Sequence, residues 1–230
     1  MIDWHSHILP AMDDGSRDPD ESIAMLRELA RQGVDTVAAT PHFYANDESP
    51  TQFLARRTRA LEQLYWRTDA TIPRILPGAE VRYYAGIASR DDLRSLCIGE
   101  TGLLLVEMPE IRWTTSTVQE LLELSDIHGI FPVLAHIERY LHLQHADVWA
   151  QLLDSGIRMQ VNASYFLEWR TRRKAMSMLT EGSIHFLGSD CHNLTTRPPR
   201  IGEAYARIAR KLGTEYVAQM DAYGRAMLTE

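Results

Sequence analysis

Cysteine is nearly missing from this chain: Cys97 and Cys191 are the only two in 230 residues. Two cysteines cannot build a disulfide framework, and they suit a reducing compartment. No apolar stretch approaches the ~18 residues that a membrane span requires. The opening Met1-Ile2-Asp3-Trp4-His5 has neither a basic region nor an apolar run, so it reads as a first strand and not as a secretion signal. A cytoplasmic protein without membrane insertion is the expectation. No G-x-G-x-x-G follows a strand candidate and no Walker-type phosphate loop is present, which removes the common nucleotide-binding signatures. Lysine is scarce too: Lys174 and Lys211 are two of 24 basic residues, and net charge is −7. An acidic chain gains little from the phosphate attraction behind general nucleic-acid binding, which argues against nucleic acid as partner.

What the chain does contain is alternation. Short apolar runs at 2–5, 36–40, 74–81, 103–106, 131–135, 158–161 and 184–188 read as strands. Between them, apolar spacings of three and four predict amphipathic helices at 51–66, 116–128, 147–155, 168–180, 199–212 and 214–228. The first helix is marked most fully. Asp18 caps it, Pro19 suits its first turn, Glu21 completes an Asp-x-x-Glu capping box, and Gly33 ends it, with Ile23, Leu26, Leu29 and Ala30 toward the core. Seven strand–helix units over residues 1–230 predict a single α/β domain, closed most compactly as a seven-stranded parallel barrel. A doubly wound open sheet is the alternative.

Chemistry gathers just after the strands. The exits carry His5-Ser6-His7 with Asp13-Asp14-Gly15, Thr40-Pro41-His42, Glu80, Glu107, His136-Ile137-Glu138-Arg139 and Asp190-Cys191-His192-Asn193. In an extended His-x-His both imidazoles point to one side. A parallel barrel brings all carboxyl ends of its strands to one face, so these strings can meet there and offer Mn, Fe, Zn or Mg a mixed nitrogen and oxygen site. One histidine after a strand is commonly structural, and His128, His142, His145 and His185 are read that way. The joint pattern is what points to a metal centre.

Together His5-Ser6-His7-Ile8-Leu9-Pro10, Asp13-Asp14-Gly15, Thr40-Pro41-His42, Leu134-Ala135-His136, Glu138-Arg139-Tyr140 and Ser189-Asp190 with His192-Asn193 resemble the PHP-domain bacterial tyrosine phosphatases of the CpsB/YwqE type. The resemblance runs from residue 2 to about residue 205. It implies a distorted seven-stranded β/α (TIM-like) barrel of PHP type holding three divalent ions, with Mn first among them. It also implies the ligand sets: His5, His7, Glu80 and Asp190 for one ion, with Glu80 bridging to a second that takes Glu107 and His136, and Asp14, His42 and His192 for the third. Arg139 and Arg197 match the phosphate-contacting arginines. The chain departs from the pattern at Trp4, Phe43, Ile137 and Cys191; none is a ligand, and Phe43 is placed as a pocket wall.

The activity so implied is hydrolysis of phosphotyrosine by in-line attack of a metal-activated hydroxide, with His192 as one candidate for assisting the leaving oxygen. The implied substrate is the tail of a cognate bacterial tyrosine kinase controlling capsular or exopolysaccharide synthesis. The ligands themselves leave room for histidinol-phosphate phosphatase or a small nuclease, and for a regulatory binder of a phosphorylated tail. Two further features remain. Residues 168–174 carry a basic run that reads as a solvated helix face, or else as a docking strip for an acidic phosphorylated peptide. Cys191 and Arg197 make a Cys-x₅-Arg outline of the cysteine phosphatases, but the residues between contain no glycine to free backbone amides for a phosphate.

Overall fold

β1 (Ile2–Ser6) starts the chain and is buried throughout. In the computed structural model, which describes residues 1–228, it is followed by α1 (Pro19–Arg31), β2 (Thr36–Ala39), β3 (His42–Phe43), α2 (Pro50–Tyr65), β4 (Arg74–Pro77), β5 (Glu80–Arg82), β6 (Leu103–Glu107) and α3 (Thr115–Asp126). Then come β7 (Phe131–Leu134), α4 (Ala146–Asp154), β8 (Arg158–Asn162), α5 (Ala163–Leu167), α6 (Arg172–Thr180), β9 (Phe186–Gly188), α7 (Ile201–Leu212) and α8 (Thr214–Ala226). Every strand pairing is parallel.

The described residues hold nine strands in two sheets, ordered β1-β2-β4 and β3-β5-β6-β7-β8-β9, where the sequence predicts seven. Two candidates are each split. The run at 36–40 stops at Ala39 and resumes at His42, because Pro41 has no N–H to give a ladder. The run at 74–81 breaks after Pro77 and resumes at Glu80. Backbone bonds continue across both breaks: the Gly78 N–H donates to Ala39 O (2.8 Å) and the Glu80 N–H to Pro41 O (3.0 Å). Past β9, the Asp190 N–H donates to His5 O (2.8 Å) and the His7 N–H to Cys191 O (2.9 Å). The result is a mixed α/β fold built on a curled parallel sheet.

Strand periodicity divides the core. Ile2, Trp4, Ala38, Leu76, Leu103, Leu105, Val133 and Phe186, taken from alternate positions of strands in both sheets, form one buried cluster inside the curl. Val37, Ala39, Leu104, Val106, Leu134, Val161 and Leu187 belong to the second cluster, with helix residues such as Leu26 and Leu121. Trp4 is an inner filling residue packed on Phe186, ring centroids 4.6 Å apart. Phe43 is fully buried against Phe53 at 5.3 Å, so it is core and not a pocket wall.

The caps and helix bounds correct the sequence reading in detail. Asp18 accepts the Glu21 N–H as expected (2.9 Å), but the Glu21 carboxylate accepts from the Arg17 N–H, so the box is not reciprocal. Residues 168–180 are not one helix. A short α5, with Tyr165 and Phe166 buried, ends at Leu167, residues 168–171 form a turn, and α6 begins only at Arg172. Among the described residues no helix is long and apolar enough to cross a membrane.

Candidate metal centre

Carboxyl ends of the strands place the candidate donors. His5 lies on β1 and His7 just beyond it, His42 opens β3, Glu80 opens β5, Glu107 ends β6, His136 follows β7, and Asp190 and His192 follow β9. The 13–15 turn closes over His7 because Gly15 has no side chain; a Cβ there would meet His7 O at 2.3 Å. Gly188 gives way to His5 in the same manner, its Cβ position lying 2.4 Å from the His5 Cβ. His136 (φ 32°) and Asp190 (φ 50°) adopt the left-handed region, which side chains other than glycine seldom enter. Such strain persists where surroundings hold it: the His136 N–H donates to Gln160 Oε1 at 2.7 Å, and Asn162 Nδ2 donates to Asp190 Oδ2 at 2.8 Å.

All nine residues expected as ligands come together. They form four overlapping groups: His7, Asp14, His42 and His192; His5, His7 and Asp190; His5, Glu80 and His136; His42, Glu80 and Glu107. Glu80 Oε2 lies 3.2 Å from His5 Nε2, 3.3 Å from His7 Nε2 and 3.0 Å from His42 Nδ1, and Glu80 Oε1 lies 2.8 Å from His136 Nε2. His42 and His192 approach Asp14 at 3.6 and 3.3 Å. Asp14 is the peripheral member, its side chain 67% exposed.

The donor atoms fit cations better than one another. Glu80 Oε2, His42 Nδ1 and His192 Nε2 are buried without a hydrogen-bond partner, although the first two are 3.0 Å apart. Their directions miss each other, as expected when both aim at a third atom. His5 Nε2 and His7 Nε2 also face each other at 3.2 Å. Buried polar atoms without partners are rare and costly, and a divalent ion would satisfy this set. Burial works against charge on Glu80, yet His5, His136 and His42 outweigh it and hold the carboxyl well below its ordinary range. Asp190 is likewise held well down, against burial, by His5 and His7. Both are therefore anionic donors.

Outer partners fix the rings. Asp13 accepts from His7 Nδ1–H at 2.7 Å and from the His42 N–H at 2.9 Å. Gln160 Oε1 lies 3.2 Å from His5 Nδ1, and the Tyr140 hydroxyl 3.0 Å from His136 Nδ1. Gln160 and Asn162 escape the sequence reading, although a signal exists: two amides alternate with the apolar Met159 and Val161 and so share one face of the strand. Tyr44 escapes it too, stacked on His42 with centroids 5.4 Å apart at 22°.

Arg139 and Arg197 converge on the same oxygen, Asp190 Oδ2, at 3.0 and 2.9 Å. Both are partly exposed, so donors remain for an incoming anion. Cys191 is fully buried, and burial pushes its thiol up to about 12. His128, His142, His145 and His185 stand outside the four groups.

A tyrosine-protein phosphatase CpsB from Streptococcus agalactiae is 30% identical over 231 residues, covering 96% of this chain and 94% of the relative. The tyrosine-protein phosphatase YwqE of Bacillus subtilis is 34% identical over 226 residues, covering 94% and 86%. A crystal structure from work on YwqE of Bacillus subtilis and CpsB of Streptococcus pneumoniae, described as unique metal-dependent tyrosine phosphatases, superposes with TM-score 0.84 at 28% identity, covering 100% of this chain and 94% of the other. Residues 1–227 match the family described as capsular polysaccharide synthesis, CpsB/CapC, and the chain belongs to it.

Proposed function

We propose that this chain is a metal-dependent protein-tyrosine phosphatase acting on a phosphotyrosine protein, a cognate bacterial tyrosine kinase of capsular or exopolysaccharide synthesis. The observation that carries the reading is the set of nine donors in four overlapping groups, with two arginines beside it and with relatives named as tyrosine phosphatases. The finer assignments go with it: one domain over 1–230, seven barrel staves in which β2 with β3 and β4 with β5 each count once, and a cytoplasmic location. Three ions, Mn foremost, would be held by His5, His7, Glu80 and Asp190, by Glu80, Glu107 and His136, and by Asp14, His42 and His192. Bound divalent ions supply an acidified water and draw off negative charge from phosphate oxygens.

The residues of the chain do the rest. Each guanidinium keeps N–H donors beyond its contact to Asp190, in a planar fork that matches two phosphate oxygens. Arg139 and Arg197 thus orient the phosphoryl group and offset the charge that builds on it. His192 Nδ1 lies 3.0 Å from the Asp190 carbonyl oxygen, so Nδ1 carries the proton and Nε2 presents a lone pair. That tautomer suits a ligand, and we assign His192 to metal binding rather than to proton donation. A phenolate, whose conjugate acid has a pKa of ~10, leaves without a strong acid.

Turnover of a phosphotyrosine peptide, histidinol phosphate and a dinucleotide by the Mn-loaded protein tests the reading. The peptide should be hydrolysed fastest. Preference for either other substrate would replace the tyrosine assignment, and tight peptide binding without phosphate release would favour a regulatory binder.

A further inference from the structure

Between α6 and α7 lies a groove whose chemistry the metal centre does not use. Two adjoining hollows, of about 460 and 440 Å³, share Arg172 and Arg173. Arg207 and Lys211 of α7 line the first beside the carbon surfaces of Met176 and Leu212. Trp169 and Arg170 line the second, with the Arg170 guanidinium 5.0 Å over the indole ring. Among the described residues no carboxylate lines either hollow. Trp169 is 72% exposed. Arg207 Nε is buried without a hydrogen-bond partner, and Glu203, one turn earlier, is held by Arg200 at 2.8 Å.

Five cations therefore stand together in a chain of net charge −7. Arg207 and Lys211 form a like-charge i,i+4 pair, which Glu203, i,i+4 to Arg207 but bonded to Arg200, offsets only in part. Guanidinium groups pair with carboxylate and phosphate and also stack on aromatic rings, while Trp169 offers an open aromatic face. A recessed groove suits a narrow segment better than a bilayer, because the acidic remainder of the surface would be pressed against anionic lipid but not against a peptide confined to the groove. Arg207 and Lys211 lie in the second half of α7, which begins shortly after Arg197, so a segment that reaches them must extend along that helix away from the metal centre.

We propose that the α6–α7 groove docks an acidic, tyrosine-bearing segment of the phosphoprotein substrate while one phosphotyrosine occupies the metal centre. The purpose of docking rests on the phosphatase reading; binding itself does not. Two probes separate them: a fluorescent peptide of alternating Glu and Tyr, with and without phosphorylation, followed by anisotropy, and p-nitrophenyl phosphate as a substrate too small to reach the groove. Wild type should bind both peptides, and more weakly as salt rises and screens the groove. Arg172→Glu with Arg173→Glu should weaken binding and raise KM for the phosphorylated peptide by about tenfold or more, with kcat and p-nitrophenyl phosphate turnover unchanged. Arg172→Gln with Arg173→Gln should do so less, and a thermal melt checks that both variants fold. Equal effects on both substrates, or unaltered peptide binding, would overturn docking. Sedimentation with phosphatidylglycerol vesicles in place of peptide binding would overturn it in favour of a membrane. Peptide binding lost in the variants, with no turnover even in wild type, would sink the phosphatase reading and leave the docking site standing.

Discussion

Asp13 receives the Nδ1–H of His7 at 2.7 Å while His7 Nε2 faces Glu80 and Asp190 at 3.3 and 3.4 Å. The carboxylate fixes which nitrogen is free to bind and makes it a stronger donor. Asp13→Asn keeps the shape but removes the charge. It should lower metal affinity by about 10–100-fold, read by calorimetric titration of Mn into stripped protein. Unchanged affinity would reduce Asp13 to a loop-forming residue.

Chelation should abolish phosphate release, and added Mn should restore it, because the partnerless buried atoms of Glu80, His42 and His192 need a cation more than they need each other. His136→Ala should lose most activity and one part of the bound metal while its melting temperature shifts little. A chelated protein that still turns over would remove the metal from the mechanism.

Arg139→Ala and Arg197→Ala should each lower kcat/KM for a phosphotyrosine peptide by about 10²-fold, the scale of losing one preorganised donor. Both arginines also touch Asp190. Metal content measured on the same preparations therefore distinguishes lost phosphate contacts from a disturbed ligand. Wild-type rates in either variant would cancel its role.

The convergence of these side chains was legible because it depends on one rule of topology: parallel strands deliver their exits to one face, so His5, His42, Glu80 and Asp190 meet although far apart in sequence. What the sequence hides is local. Pro41 and Gly78 read as ordinary strand punctuation, yet they pass the chain from one sheet to the next. The left-handed turn at His136 leaves no mark, since a favourable bond to Gln160 and not a glycine sustains it. Gln160 and Asn162 look like any polar strand residues until their partners are known. Phe43 shows the opposite error, an unusual residue near a ligand that simply packs the core.

Acid should weaken the fold through His185. Burial, followed by the neighbouring Arg158 charge, lowers its pKa from 6.5 to about 4. Its Nδ1 accepts the Met159 N–H at 3.1 Å, a bond that protonation of that nitrogen breaks. The unfolded chain takes up this proton near pH 6.5 and the folded chain only near 4. Stability is therefore complete above that window and is lost as pH falls through it, by about 2 kcal/mol given partial exposure. Urea melts of wild type and His185→Gln across the window should differ in pH slope. Parallel slopes would show that His185 protonates equally well in both states.

Cys191→Ser should retain near wild-type turnover, and thiol alkylation of the folded protein should inhibit weakly if at all. The Cys-x₅-Arg outline places Cys191 and Arg197 where a cysteine phosphatase would have its nucleophile and phosphate-binding arginine, so the variant separates two chemistries. Structure argues against the second at both ends of the loop. The Cys191 side chain is fully buried, with no path for an in-line approach to phosphorus. A phosphate loop must also leave its backbone amides free for the anion. Here the N–H groups of Thr195, Thr196 and Arg197 all donate to one acceptor, Asn193 Oδ1, at 2.9, 2.8 and 3.1 Å. The segment is folded around its own asparagine. A thiolate mechanism needs sulfur, because a serine hydroxyl stays protonated at neutral pH. Turnover abolished in Cys191→Ser, with metal content and melting unchanged, would therefore transfer the reaction from the metal centre to the thiol.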